Sequence, residues 1–350
     1  MIDNRKLTLF QRATYANSYS YLFSKIWYIT HIYPLTQYYA KEINKGTFNY
    51  IWNGSYEPIR RNTVYRPRKE GGLGIINCFV KSQVILLNSF LQCFDGEDSK
   101  NPLMLYYCYI RMGNIISMDY SAHNASLLLT PYYEIIYNLL KKILHLKGFP
   151  HVSKKDIYKY LLSKEKSYGE EHYPTFNWKQ IWRNFGSTVF LPYGKEIIFK
   201  HLHFCLATNQ RLATISRSAT ALCNKCSDNQ DHTPLHIFYQ CANINPLFQW
   251  FLRVLFNVCK FKPTSNIRFL YFDSRYDNFS QKSICNIFLS IYILTVWKMR
   301  KENLRIGILK SIILKQISDY IDFVKLVPNT KLDEVLLEIS RLDMDSLLNV

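Results

Sequence analysis

The segment from Ala221 to Cys241 constrains this chain more than any other. It holds two pairs of potential metal ligands, C-x2-C and then, after nine residues, H-x4-C. Two thiolates on a tight turn can bind one side of a metal ion while a His/Cys pair binds the other. This donor set favours tetrahedral Zn²⁺ in a closed structural site, which would also fix the polar residues between the pairs. The predicted ligands are Cys223, Cys226, His236 and Cys241.

His232 leaves an alternative ligand set open. It follows Cys226 after a gap of five residues and would replace Cys241 in a Cys2His2 set. Fingers of the Cys2His2 type, however, need about a dozen residues between the second Cys and the first His. We therefore favour Cys241, which has no other evident role. Without a metal, these cysteines would be ordinary buried thiols, since free Cys is among the most buried residue types.

Hydrophobic periodicity predicts a mainly α-helical fold. Apolar residues recur at helical spacing in most segments, and a hydrophobic content of 48% over 350 residues suffices for two domains. The exception is the glycine-rich stretch from Val64 to Ile76, which predicts a short β-hairpin. We expect a first helical region at residues 1–113, a linker at 114–130, and a helical metal-binding domain at 131–350.

A basic segment overlaps the predicted hairpin. Five Arg and Lys residues fall within ten positions, Pro58 and Pro67 favour extended backbone, and glycines follow. We therefore expect the basic side chains on one exposed ridge, suited to a phosphate backbone with bases stacked alongside. A solvated basic loop without a ligand is the alternative. The predicted nucleic-acid contacts are Arg60, Arg61, Arg66, Arg68, Lys69 and Trp52.

Charge and cysteine content indicate the partner and the compartment. A net charge of +18 favours an acidic partner, most commonly nucleic acid, although an AT-rich coding sequence would also enrich lysine. Nine cysteines without a signal peptide indicate a reducing compartment, the cytoplasm or the nucleus. The longest apolar run, 284–296, is too short to span a bilayer. We expect a soluble protein with neither a membrane nor a small-molecule substrate as partner.

The order of several motifs resembles a known family. From Leu7 to Phe94 the chain contains L-T-L-F-Q-R-A-T-Y-A-N-S, F-N-Y-I-W-N-G and R-R-N-T-V-Y-R-P-R-K-E-G-G-L-G. From Ser153 to Asn303 it contains N-W-K-Q-I-W, N-Q-R-L-A-T, the Cys/His segment and I-L-T-V-W-K-M-R-K-E-N. This succession resembles the thumb region and the zinc-binding domain of reverse transcriptases encoded by non-LTR (LINE-type) retrotransposons.

The resemblance implies a C-terminal part that grips template RNA or target DNA through phosphates, with little sequence preference. Nucleotide polymerisation needs paired aspartates that hold two metal ions, and no Asp-Asp dipeptide occurs in this sequence. We therefore predict no enzymatic activity and expect the family's palm and endonuclease to be encoded upstream of Met1. The alternative function is a truncated remnant that acts as a zinc-stabilised protein-interaction or structural module.

Overall fold

The computed structural model describes residues 7–92, 131–146, 152–325 and 344–348, with gaps at 19, 144, 163–164, 189, 192, 216–219, 227–228, 301 and 303. Within these ranges the regular structure is helical, and the only strand-like pairing is an antiparallel bridge between Leu222 and Asp231. The predicted mainly α fold is confirmed. The predicted linker at 114–130 lies outside the described residues.

The first compact unit comprises residues 1–66 and 73–165. Its third helix begins after Thr36, whose hydroxyl accepts a hydrogen bond from the Tyr39 amide and so caps the first turn. Ser153 likewise caps the last helix by accepting from the Asp156 amide at 3.2 Å. The helices of this unit are α1 (Leu9–Ser18), α2 (Ser20–Thr30), α3 (Gln37–Ile51), α4 (Arg61–Tyr65), α5 (Cys78–Leu91), α6 (Pro131–Ile143) and α7 (Lys154–Leu161).

The apolar core around α5 corrects the predicted domain boundary. Helices α6 and α7 were expected in the second domain, but their apolar faces pack on α5. Burying these faces against one another removes them from water, which is the main favourable term in folding. The first unit therefore extends to residue 165. The buried residues of this core include Val84, Leu87, Phe90, Ile136, Leu140, Ile143 and Ile157.

The β-hairpin predicted at 64–76 is wrong. Helix α4 occupies its start, and a 3₁₀ turn follows at Arg68–Glu70. Gly71 and Gly74 have φ of +84° and +70°, left-handed values that glycine adopts without strain. The Leu73 amide donates to the Val64 carbonyl at 3.0 Å and closes the loop, whose regular structure is helical rather than extended.

The second compact unit comprises residues 67–72 and 166–350. Its central helix, α14, packs against α10, α12, α15 and a π-helical turn at His236–Gln240. The Tyr292 hydroxyl of α14 donates to the Phe238 carbonyl of that turn at 2.6 Å. The helices of this unit are α8 (Tyr168–His172), α9 (Trp178–Ser187), α10 (Gly194–Leu202), α11 (Asn209–Ile215), α12 (Asn245–Cys259), α13 (Asn266–Leu270), α14 (Phe279–Met299), α15 (Ile306–Lys325) and α16 (Met344–Leu348).

Helix α14 corrects the expectation that no apolar segment reaches membrane-spanning length. It has 21 residues and is apolar enough to cross a bilayer by length and composition. Within the unit, however, 78% of its most apolar window is buried. Helices that are apolar on all sides are found in protein cores as well as in membranes. The burial of α14 accounts for its composition as that of a core helix.

Residues 67–72 pack into the second unit through Gly71. The Gly71 carbonyl accepts a hydrogen bond from Nε2 of His203 at 2.8 Å. The His203 ring stacks on the indole of Trp182, with ring centroids 4.9 Å apart. A Cβ atom at position 71 would overlap that indole ring. This close approach of backbone to an aromatic ring requires glycine at position 71.

Because His201 is buried, we expect the second unit to lose stability in mild acid. Burial lowers the pKa of His201 from 6.5 to about 4, while its Nε2 donates to the Leu270 carbonyl at 3.1 Å. Below pH 6.5 the unfolded chain binds a proton that the folded unit does not bind. Stability is therefore lost as the pH falls from 6.5 towards 4, by roughly 3 kcal/mol in full.

Urea unfolding at several pH values measures this loss. We expect His201→Gln to be less stable than the wild type at neutral pH but to show a weaker pH dependence between 6.5 and 4. Parallel pH profiles for the wild type and the variant would show that His201 does not carry the effect.

Candidate metal centre

The C-x2-C pair lies on a tight turn at residues 223–226, the knuckle, which is held by a short stretch of backbone hydrogen bonds. The Cys223 amide donates to the Gln230 carbonyl and the His232 amide to the Ala221 carbonyl, both at 2.9 Å. Within the knuckle, the Lys225 amide points at the Cys223 sulfur at 3.5 Å. Such an N–H group stabilises a thiolate more than a thiol. The local backbone is therefore arranged to present sulfur ligands to a cation.

The H-x4-C pair depends on a π-helical turn. In an α-helix, residues five apart point about 140° away from each other. At His236–Gln240 the chain instead forms the wider turn, in which the Cys241 amide donates to the His236 carbonyl at 2.8 Å. This i→i+5 closure brings the two side chains to the same side. The Thr233 hydroxyl accepts from the His236 amide at 3.0 Å and fixes the start of the turn.

The structure brings all four predicted ligands together. The ligand atoms of Cys223, Cys226, His236 and Cys241 lie within 4.8 Å of one another. The Cys226 sulfur is 3.3 Å from Nε2 of His236. The other ring nitrogen, Nδ1, lies 3.2 Å from Oε1 of Gln230, which as an acceptor selects the tautomer that leaves Nε2 for a metal.

This arrangement fits a tetrahedral metal ion. With metal–sulfur bonds of about 2.3 Å, sulfurs in a tetrahedral zinc site lie about 3.8 Å apart, a spacing that these atoms can meet. Cys223, His236 and Cys241 are buried, at 8%, 1% and 2% exposure. Burial, together with the neighbouring Cys223 and Cys226, raises the pKa of the Cys241 thiol to about 11. A bound cation offsets this cost because coordinated thiols are deprotonated.

The alternative ligand His232 lies outside the cluster. Its Nδ1 accepts a hydrogen bond from the backbone amide of Asn209 at 3.0 Å, at the start of α11. The Asn209 side chain in turn donates to the Leu222 carbonyl at 2.9 Å. These bonds attach α11 to the knuckle. The geometry therefore favours Cys241 over His232 as the fourth ligand.

The predicted nucleic-acid contacts of the first unit have partners within the protein. Arg61 forms a bidentate ion pair with Glu57, at 2.8 and 2.6 Å, and lies over the Phe48 ring. Arg66 donates to the Glu165 carbonyl. Arg60 is exposed and also has interactions within the protein. Trp52 is 5% exposed, so it has no open ring face on which a base could stack.

Arg68 and Lys69 belong to the second unit, whereas the three other basic residues belong to the first. Both lie on the 3₁₀ turn and are exposed. Burial, and then the charge of Arg68, lowers the pKa of Lys195, which places a further cation near this turn. The ridge of five predicted on one hairpin is therefore replaced by basic residues distributed over two units.

Sequence reasoning missed three basic residues beside the metal cluster. Lys225, Arg300 and Arg305 line a cavity of about 640 Å³ that also includes three of the four ligands. Lys225 lies between the two knuckle cysteines, and Arg300 ends the W-K-x-R segment, so both were within motifs that the sequence displays. The sequence does not show that these three residues lie close together in the fold, because Lys225 is far from Arg300 and Arg305 along the chain.

The resemblance to reverse transcriptases rests on motif order alone. No protein-family model matches this chain, and no curated protein shows significant similarity to it.

Proposed function

We propose that this chain is a non-catalytic nucleic-acid-binding module, the C-terminal portion of a LINE-type reverse transcriptase. In this proposal a structural Zn²⁺ stabilises the second unit of the chain. The Cys3His cluster is the observation that carries the proposal. Four protein ligands complete a tetrahedral shell and leave no position for a substrate or a reactive water. Such a closed site stabilises a fold rather than performing chemistry.

Charge supports the nucleic-acid part of the proposal. The chain carries 44 Lys and Arg against 26 Asp and Glu. Cations that contact phosphates release counterions, which gives affinity without sequence preference. Within the second unit, Arg68 and Lys69 present adjacent exposed charges on a short 3₁₀ turn. This turn is the part of the predicted basic segment that suits phosphate contacts best.

Neutralising this turn tests the proposal. We expect Arg68→Gln/Lys69→Gln to weaken binding to RNA and DNA and to lower the log–log salt slope by about one to two units, because each phosphate contact contributes about 0.9. Fluorescence anisotropy at several salt concentrations measures both quantities. Lys154→Gln/Lys155→Gln removes the same charge from exposed positions on α7 and serves as the control. Equal losses in the two variants would leave net charge as the only determinant of binding.

An exposed apolar patch on the first unit favours the second candidate, a protein-interaction module. Six large apolar side chains between residues 28 and 39 are more than half exposed. Large apolar side chains exposed in number on one segment are more typical of interaction sites than single exposed ones. A wild-type protein that binds no nucleic acid even at low salt would favour this candidate. The patch consists of Tyr28, Ile29, Ile32, Tyr33, Tyr38 and Tyr39.

A further inference from the structure

The cavity beside the metal cluster combines an apolar wall with a basic edge. Its volume of about 640 Å³ is within the usual range of ligand sites. The knuckle, the start of α12, the end of α14 and the start of α15 surround it. The apolar wall includes Ile237, Val296, Met299 and Leu309.

Three cations and one carboxylate line this cavity. The cations are Lys225, Arg300 and Arg305, and Glu302 is the one acidic residue among the lining residues; its backbone carbonyl accepts a hydrogen bond from Lys225. The Arg300 guanidinium lies 3.6 Å above the Trp297 ring, which holds the side chain in place. Neither Arg300 nor Arg305 pairs with a carboxylate among the described residues. The cavity therefore presents an excess of positive charge.

Arginine is suited to phosphate because its planar group donates two parallel hydrogen bonds to phosphate oxygens. Burial lowers the pKa of Arg300, because removal from water disfavours the charged guanidinium. An anion in the cavity would offset this penalty. An inorganic phosphate, however, would leave the apolar wall in contact with water. A ligand that contacts both the basic edge and the apolar wall carries a phosphate and a flat apolar group.

We infer that this cavity binds one nucleotide unit of single-stranded RNA or DNA. The phosphodiester contacts Arg300 and Arg305, and the base lies against the wall that Met299 and Val296 form. Bases in a duplex are stacked and paired, so a base must be unpaired to enter a pocket. This inference rests on the proposed function and specifies which form of nucleic acid the second unit binds.

Binding of labelled oligonucleotides to the full, metal-loaded chain tests the inference. We expect Arg305→Gln to weaken binding of a short single strand about tenfold, the loss of one charge-assisted contact. Met299→Trp places a larger side chain against the apolar wall and is expected to weaken single-strand binding without weakening duplex binding. Arg275→Gln removes an exposed charge elsewhere in the same unit and should leave the affinity unchanged. A strand with abasic positions should bind the wild type more weakly than the intact strand.

The outcomes separate this inference from the proposed function. Wild-type affinity for the single strand in both Arg305→Gln and Met299→Trp would overturn the inference, as would equal losses for strand and duplex. Competition by free adenosine monophosphate at the same concentration as the strand would instead assign the cavity to a free nucleotide. A wild-type protein that binds neither form of nucleic acid would contradict the proposed function itself. Because Arg305 is exposed, its substitution keeps the test valid even where Met299→Trp fails to fold.

Discussion

Replacing Cys223 by Ser is expected to remove the metal ion and to destabilise the second unit by about 4 kcal/mol or more. The free energy of binding a structural metal is folding free energy, and the polar knuckle has little apolar core of its own. The substitution would also leave three of the four candidate ligands, Cys226, His236 and Cys241, too few for a closed tetrahedral site. Native mass spectrometry measures the metal content, and urea unfolding measures the stability.

Two matched variants make this result specific. His232→Ala removes the imidazole that lies outside the cluster, and Cys259→Ser removes a thiol elsewhere in the same unit. Both should retain one metal ion per chain. Retention of the metal in Cys223→Ser would contradict the site altogether. Loss of the metal in His232→Ala with retention in Cys241→Ser would assign the fourth ligand to His232.

The second large effect is expected at Gly71. Gly71→Ala places a Cβ where the Trp182 indole lies and forces alanine into a left-handed conformation, with φ of +84°. Left-handed backbone costs about 1–2 kcal/mol in a residue with a Cβ, and overpacking adds about 1–3 kcal/mol. We therefore expect a loss of about 2–5 kcal/mol in the stability of the second unit, measured by urea unfolding.

Gly74→Ala is the matched control for this substitution. Gly74 has a similar φ of +70°, but no atom lies within 4 Å of the added Cβ. Gly74 belongs to the first unit, so its cost is measured as the stability of that unit and should be limited to the backbone term, about 1–2 kcal/mol. Equal costs at the two positions would show that the packing of Gly71 against Trp182 does not contribute.

Local signals in this sequence were reliable where the structure depends on neighbouring residues. Thr36 and Ser153 are of residue types preferred at helix N-caps, and each caps its helix through a partner three residues away. The ligand spacing also identified the Cys3His cluster, because each pair is confined to a short turn. The π-helical turn that aligns His236 with Cys241 was not predicted, since an α-helix would have separated them.

The predictions that were wrong concern features that depend on contacts between residues distant in the sequence. Glycines at 71 and 74 showed where the chain turns but not whether its arms would pair, and packing against Trp182 favours a compact turn. The amphipathic pattern of α6 showed that one face is buried but did not identify α5 as its partner. Glu57, four residues before Arg61, was a local signal of an internal ion pair that the interpretation of a free basic ridge overlooked.

The packing of residues 67–72 into the second unit has a consequence for dividing this protein. Neither unit is a continuous stretch of chain, because the first resumes at residue 73 after the second has begun. A fragment that starts at residue 166 would lack the glycine whose carbonyl pairs with His203 and whose bare backbone packs on Trp182. A fragment that ends at residue 165 would in turn contain residues 67–72, which belong to the second unit. A single cut in the gene therefore cannot yield the two units as they fold, and recombination at their boundary would exchange neither of them whole.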